Sequence, residues 1–223
     1  MPKGFAKEVK VYITKWQSSN RLARAIQRAR INGYTPIVRE AMVQNYLPPQ
    51  FFYLALQESN YERGIIGPKT YAGIAKGIWQ FIPDTANRYG LKTGPLLDVR
   101  RYDSQDERFD FQKATMAAAK YLRDIYTTEA QASGLLVMAS YNWGENRVRK
   151  LIRKMPKNPR QRNFWELIKK HNIPKETYNY VYYIFSAAVI GENPKLFGFE
   201  FENPLAPTTG TDNTVQDSAV ETM

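Results

Sequence analysis

Apolar residues recur at helical spacing through most of this chain. In "SSNRLARAIQRARING", Leu22, Ala25, Ile26 and Ala29 share one face, Ser18, Ser19 or Asn20 can cap the start, and Gly33 stops it. A second helix is predicted after Pro36, through "IVREAMVQNY", ending before Pro48-Pro49. A third begins near those prolines and carries "QFFYLALQES". Further on, Ala114, Ala117, Ala118, Tyr121, Leu122 and Ile125 mark one buried helical face. "SGLLVMASYNWG" predicts a buried helix ending at Gly144, followed by a basic helix, "ENRVRKLIRKM", that Pro156 and Pro159 cut off. "FWELIKKH" and "ETYNYVYYIFSAAVIG" predict two more, the latter ending at Gly191. Three stretches break the pattern. "VKVYITKW" alternates like a short strand or extended arm, Asn60 to Gly77 is rich in glycine and turn residues and predicts a loop, and charges with Gly94-Pro95 predict another between about 91 and 108. Before that second loop, a break at Ile82-Pro83 leads into a short helix near Pro83-Asp84.

No repeat and no strand-helix alternation is present, so the expected fold is all-α. One main domain is expected over residues 41–200, with residues 1–40 as a basic N-terminal extension packed on it and 201–223 as a disordered tail. With 43% hydrophobic and 13% aromatic residues the chain can fill a core of its own. The absence of cysteine removes disulfides, thiol nucleophiles and thiolate metal sites. The single histidine, His171, sits in the polar stretch "KKHNIP" and is expected to be exposed, which leaves acid-base chemistry to carboxylates, lysines and tyrosines. No stretch approaches the roughly 20 apolar residues of a membrane span. The first residues lack the apolar run of a secretory signal, which implies either another route or a trimmed chain.

The net charge of +11 is unevenly placed. Residues 1–50 carry +7 and residues 145–170 carry +8, whereas the tail from 200 onward holds five acids and no base. Such surfaces favour polyanions, be they nucleic acid, anionic lipid or an acidic wall polymer.

"LALQESNYERG" poses the first chemical question, because Glu58 ends an otherwise apolar helix. Its ordinary reading is a solvated carboxylate or a partner for Arg63. Yet the helix before it is almost wholly apolar and the chain after it is glycine-rich, which is how a cleft wall is made. An acid held there has a raised pKa and can donate a proton near neutrality. In "AGIAKGIWQFIPDTANRYG", Trp79, Phe81 and Ile82 read as core, although Trp79 beside Gln80 also offers the flat ring and amide that bind sugars. "ASYNWGENRV" supplies Tyr141, Asn142 and Trp143, and "IPKETYNYVYY" supplies Glu176, Tyr178 and Tyr180; Trp143 and Tyr182 read more naturally as core.

Taken in order, Glu58-Ser59, Gly73 with "GIWQFIP", "SYNWGENRV" and "ETYNYV" resemble the catalytic domain of the lytic transglycosylases, the goose-type-lysozyme-like SLT family. Trp79-Gln80-Phe81-Ile82, where many members have Met-Gln-x-Met, is similar to the membrane-bound murein transglycosylase D group. The resemblance covers about residues 40 to 195 and leaves the basic N-terminal part unassigned. It implies a lysozyme-like helical domain in which Glu58 is the sole catalytic acid and base, with Ser59 supporting it. Gln80, Tyr141 and Asn142 are expected along the glycan groove together with Ile82 and Tyr180, and Glu176 near the acid. The implied substrate is the glycan strand of bacterial peptidoglycan in the cell envelope, cut without water to leave a 1,6-anhydromuramic end, with no metal or cofactor. A lysozyme-type hydrolase using Glu62, Asp84 or Glu176 as second carboxylate is the nearest rival, and a non-catalytic glycan-binding scaffold the next. Nucleic acid is not an expected partner, since no zinc-finger spacing or basic zipper appears; the basic segments are expected to meet anionic wall or membrane surfaces.

Overall fold

The computed structural model describes residues 4–206, within which ten α-helices and one two-stranded hairpin form a mainly α domain. Of the tail expected to be disordered, 207–223 lie outside the described residues, while Phe201 and Leu205 pack against the core.

The start of the chain departs from the strand-like reading. Residues Phe5–Gln17 form helix α1, with Phe5, Val9, Tyr12 and Trp16 buried on one face. That three- and four-residue spacing is helical and only emerges across the full segment; the alternation within "VKVYITKW" hid it. Helix α2 (Arg21–Ile31) buries Leu22, Ala25, Ile26 and Ala29 as the periodicity requires. Helix α3 (Tyr34–Gln44) begins two residues before Pro36, which occupies its first turn. A single 3-10 turn at Pro49–Phe51 leads into helix α4 (Phe52–Ser59), apolar nearly all round and therefore a core helix. It ends at Asn60, whose left-handed backbone (φ 51°) turns the chain out of the helix.

The expected loop after α4 contains an antiparallel hairpin, β1 (Ile66–Thr70) and β2 (Gly73–Lys76), with Lys69 opposite Ile74 and Thr70 opposite Gly73. Strand propensity does not hold it. Beneath it lies a buried charge cluster: Arg108 donates from Nε to Asp106 Oδ1 (2.8 Å) and from Nη1 to the carbonyls of Ile74 (2.7 Å) and Phe81 (3.1 Å). Lys76 Nζ lies 3.5 Å from Asp106 Oδ2 and donates to the Leu96 carbonyl at 2.7 Å. Gly77 abuts this cluster in a left-handed conformation (φ 76°), and a Cβ there would strike the Arg108 carbonyl.

Helices α5 (Pro83–Arg88), α6 (Phe111–Tyr126), α7 (Gly134–Trp143), α8 (Glu145–Ile152), α9 (Phe164–Lys170) and α10 (Lys175–Glu192) complete the order. Helix α10 packs on α1, α7 and α4, so it is the post of the domain. At Gly191 it passes close against α4, where a Cβ would collide with the ring and hydroxyl of Tyr53. His171 is half-buried, not exposed: it lines a basic cleft of about 470 Å³ with Lys169, Lys170, Lys175 and Tyr178, between α9 and α10.

Candidate active site

Glu58 occupies the last turn of α4, and the side chain is half-buried. Loss of water around its carboxyl raises the pKa from 4.5 to about 7; a hydrogen bond from Tyr180 works against this and the negative field of Glu176 works with it. The C-terminal end of a helix adds a partial negative charge that acts in the same direction as burial. Tyr180 Oη donates to Glu58 Oε1 at 2.5 Å. Glu176, one turn earlier on α10, is exposed, so it can polarise the site while staying solvated.

The hairpin and the turn after it deliver Gln80. Its backbone is left-handed (φ 49°), a conformation unfavourable for a side-chain-bearing residue, and it is fixed by Nε2 donating to the carbonyls of Gly77 (2.7 Å) and Ile65 (3.3 Å). The amide nitrogen is thus spent on the protein, whereas Oε1 lies against Gly67 with no donor among the described residues. Trp79 does not face sugar. It is fully buried and donates from Nε1 to Thr115 Oγ1 at 3.0 Å, which corrects the expectation of a ring and amide side by side. Its carbonyl instead accepts from the Tyr141 hydroxyl at 2.7 Å, tying the end of α7 to the turn that carries Gln80. Both Tyr141 and Tyr180 are pushed well above the ordinary phenol pKa, first by burial and then by the neighbouring Glu58. They are therefore donors and ring surfaces at any working pH.

Asn142 Oδ1 accepts from Thr177 Oγ1 at 2.8 Å, which links α7 to the first turn of α10 and leaves the amide nitrogen available. Ile82 is half-buried in extended backbone just before α5. Ser59 does not reach a groove: it is buried, donates to the Ala55 carbonyl (3.1 Å) and accepts from the Tyr61 amide (3.1 Å), closing the end of α4 under Glu58. Glu62, a rival second carboxylate, is paired with Arg28 at 3.1 Å, and Asp84 is exposed in the first turn of α5.

Two residues with no role assigned from sequence complete the wall. Tyr121 of α6, legible only as a core position, lies 5.2 Å from the Tyr141 ring and donates to Glu145 Oε2 at 2.8 Å. Glu145 also accepts from Arg88 at 2.9 Å. Burial alone would raise its pKa, but the Tyr121 hydroxyl and Arg88 prevail and hold it below the usual range, so it stays ionised and cannot serve as a second acid. The only signal for it in the sequence is its place directly after "YNWG". Among the described residues, no cluster of three or more acidic, histidine or cysteine side chains is placed to hold a metal ion.

Residues 36–164 match the family model of the transglycosylase SLT domain. Two proteins named membrane-bound lytic murein transglycosylase D, from Escherichia coli K12 and from Escherichia coli O6:H1, are each 32% identical over 153 residues, 68% of this chain and 30% of theirs. The chain therefore spans 30% of the length of these curated relatives. Among solved structures, an inactive mutant of the lytic transglycosylase Slt from Pseudomonas aeruginosa aligns over 78% of this chain and 24% of its own, with a TM-score of 0.46 and 19% identity.

Proposed function

We propose, since this chain belongs to the transglycosylase SLT family, that it is a peptidoglycan lytic transglycosylase with Glu58 as its single acid and base. The observation that carries this is the half-buried Glu58 carboxyl, lifted to about 7 and held by Tyr180. Protonated, Glu58 gives its proton to the oxygen of the β-1,4 bond between N-acetylmuramic acid and N-acetylglucosamine. The substrate's own N-acetyl carbonyl stabilises the developing positive charge at C1, so no second carboxylate is required. Glu58, now a base, takes the proton of the muramoyl C6 hydroxyl as that oxygen bonds to C1 and closes the 1,6-anhydro ring. Proximity replaces a water nucleophile, and the acid is restored in one cycle.

Tyr180 fits the second half of that cycle, since a donor on the carboxylate steadies its ionised form. Gln80 Oε1, Asn142 Nδ2 and the Tyr141 ring suit N-acetyl groups, hydroxyls and sugar C–H faces, with Ile82 at the margin, while Ser59 acts through α4 and not by touching sugar. Residues 41–200 are the catalytic unit in this reading. The basic extension and the lysine-lined cleft between α9 and α10 favour an anionic wall or membrane surface of the bacterial envelope. No described helix is long and apolar enough to cross a membrane.

One observation favours a hydrolytic variant: Glu176 is near enough to act on the charge of Glu58 and is solvated, as a water-activating base would be. Digestion of purified sacculi with mass analysis of the products decides between the two. Anhydromuramic ends are expected; reducing muramic ends would establish hydrolysis, and intact sacculi would leave a binding scaffold.

A further inference from the structure

Helices α1 and α2 supply no group to the chemistry above, and they precede the family match at residue 36. They nevertheless touch both halves of the Glu58–Tyr180 pair. From α2, Arg21 donates from Nε to Asn60 Oδ1 (2.7 Å) and from Nη2 to the Gln57 side-chain oxygen (3.2 Å), and Arg28 donates to the Asn60 carbonyl (2.5 Å). Gln57 and Asn60 bracket Glu58 in sequence, so these bonds fasten the turn that holds the acid. From α1, Tyr12 Oη donates to Asn179 Oδ1 at 2.6 Å, and Asn179 immediately precedes Tyr180. Trp16 Nε1 donates to Ser186 Oγ and to the Tyr183 carbonyl, both at 3.1 Å, and the Tyr12 ring stacks on Tyr182 with centroids 5.2 Å apart. Arg21 joins the two sets, since its guanidinium lies 4.8 Å from the centre of the Trp16 ring.

We propose that α1 and α2 form a clamp that sets the position of Tyr180 against Glu58, with Tyr12 and Arg21 as positioning residues for the catalytic acid. This rests on the assignment of Glu58 as that acid. A hydrogen bond between hydroxyl and carboxylate weakens steeply with distance and angle, so small rotations of α10 or of the α4 end change how strongly the ionised acid is held. The groups that face Glu58 are Tyr180 and Glu176 from α10 and Tyr141 from α7, with Tyr121 of α6 behind Tyr141. Replacing Tyr12 by Phe leaves all of them, and both arginines, in place. It therefore separates position from field.

The test is a titration of the Glu58 carboxyl by NMR of the full chain carrying 13C-labelled glutamate, read in wild type, Tyr12→Phe, Arg21→Lys, Tyr180→Phe and the Tyr12→Phe/Tyr180→Phe pair. Tyr180→Phe is expected to raise the midpoint by about 1 unit, the scale of one lost hydrogen bond to a carboxylate. Tyr12→Phe and Arg21→Lys should each raise it by roughly 0.3 to 0.5 unit, with no further shift from Tyr12→Phe once Tyr180 is Phe. On sacculi, Tyr12→Phe should lower kcat about threefold at unchanged KM. A midpoint unmoved in both single variants, or a shift that persists undiminished without the Tyr180 hydroxyl, overturns the clamp, whatever happens to thermal stability. Because the midpoint is read without turnover, failure of the wild type to cleave would count against the assigned reaction alone.

Discussion

Glu58 is held where its charge is unwelcome, and that conflict has a sign that can be measured. Its folded pKa of about 7 exceeds its unfolded value near 4.5, so the native state binds the proton more tightly. Stability is then highest below the unfolded value, falls as pH rises from about 4.5 to 7, and is flat above that. Glu58→Gln removes the charge and is expected to be more stable than wild type at pH 8 by about 1 to 3 kcal/mol, with little difference at pH 4, as thermal melts at the two pH values will show. The same substitution should lower sacculus cleavage by at least about a thousandfold. If Glu58 gives its proton in the first step of the proposed reaction, kcat/KM should decline as pH rises past about 7. At this scale the sequence was informative where a residue's chemistry is local: Glu58 at the end of an apolar helix could be picked out. It left Trp79 open between core and sugar platform, because only the three-dimensional packing against Thr115 decides which way a ring after Gly77 turns. Tyr121 was hidden for the opposite reason, being a periodic core residue whose hydroxyl alone carries the link to Glu145.

The hairpin is the element that sequence pattern could not supply. Its residues, "IGPKTYAGIAK", are poor strand formers, and what pairs them is the buried salt-bridge cluster some thirty residues away. Asp106 is fully buried and pairs with both Lys76 and Arg108, and the carbonyls of Ile74, Phe81 and Leu96 help to hold the positive charge left over; burial opposes its ionisation, but Arg108 and Lys76 hold its pKa below the usual range. Asp106→Ala should leave two buried cations uncompensated and cost about 3 to 5 kcal/mol in denaturant unfolding. In hydrogen exchange, amides of residues 66–81 should lose protection before those of α6, since the cluster ties the hairpin and the Gln80 turn to the domain. Helix α6 itself was legible, as its apolar stripe is the face the structure buries. Helix α1 was not, because the alternating stretch in its middle hides a stripe that emerges only over the full thirteen residues.

Across the whole molecule the excess charge is concentrated in residues 1–50 and 145–170, and outside the Lys76–Arg108 cluster it lies mainly on the surface. Arg149 and Arg153 are paired with Glu129, whereas Lys150, Lys154 and Lys157 are exposed with no acidic partner among the described residues. Retention on anionic sacculi or vesicles should therefore weaken severalfold between about 0.05 and 0.3 M salt, checked by sedimentation; retention that ignores salt would deny these lysines a role. The partnership between α1 and α10 could not be read from composition, because residues 12 and 179 meet only once α10 is in place. One more long-range meeting bears on heredity. Gly191 nestles under Tyr53, on the same two helices that carry the acid and its phenol, about three turns along α10 from Tyr180. A single methyl there would pry the helices apart like a wedge in a hinge. In a library of every substitution scored for killing of wall digestion, position 191 should rank beside position 58, although nothing it carries ever meets sugar.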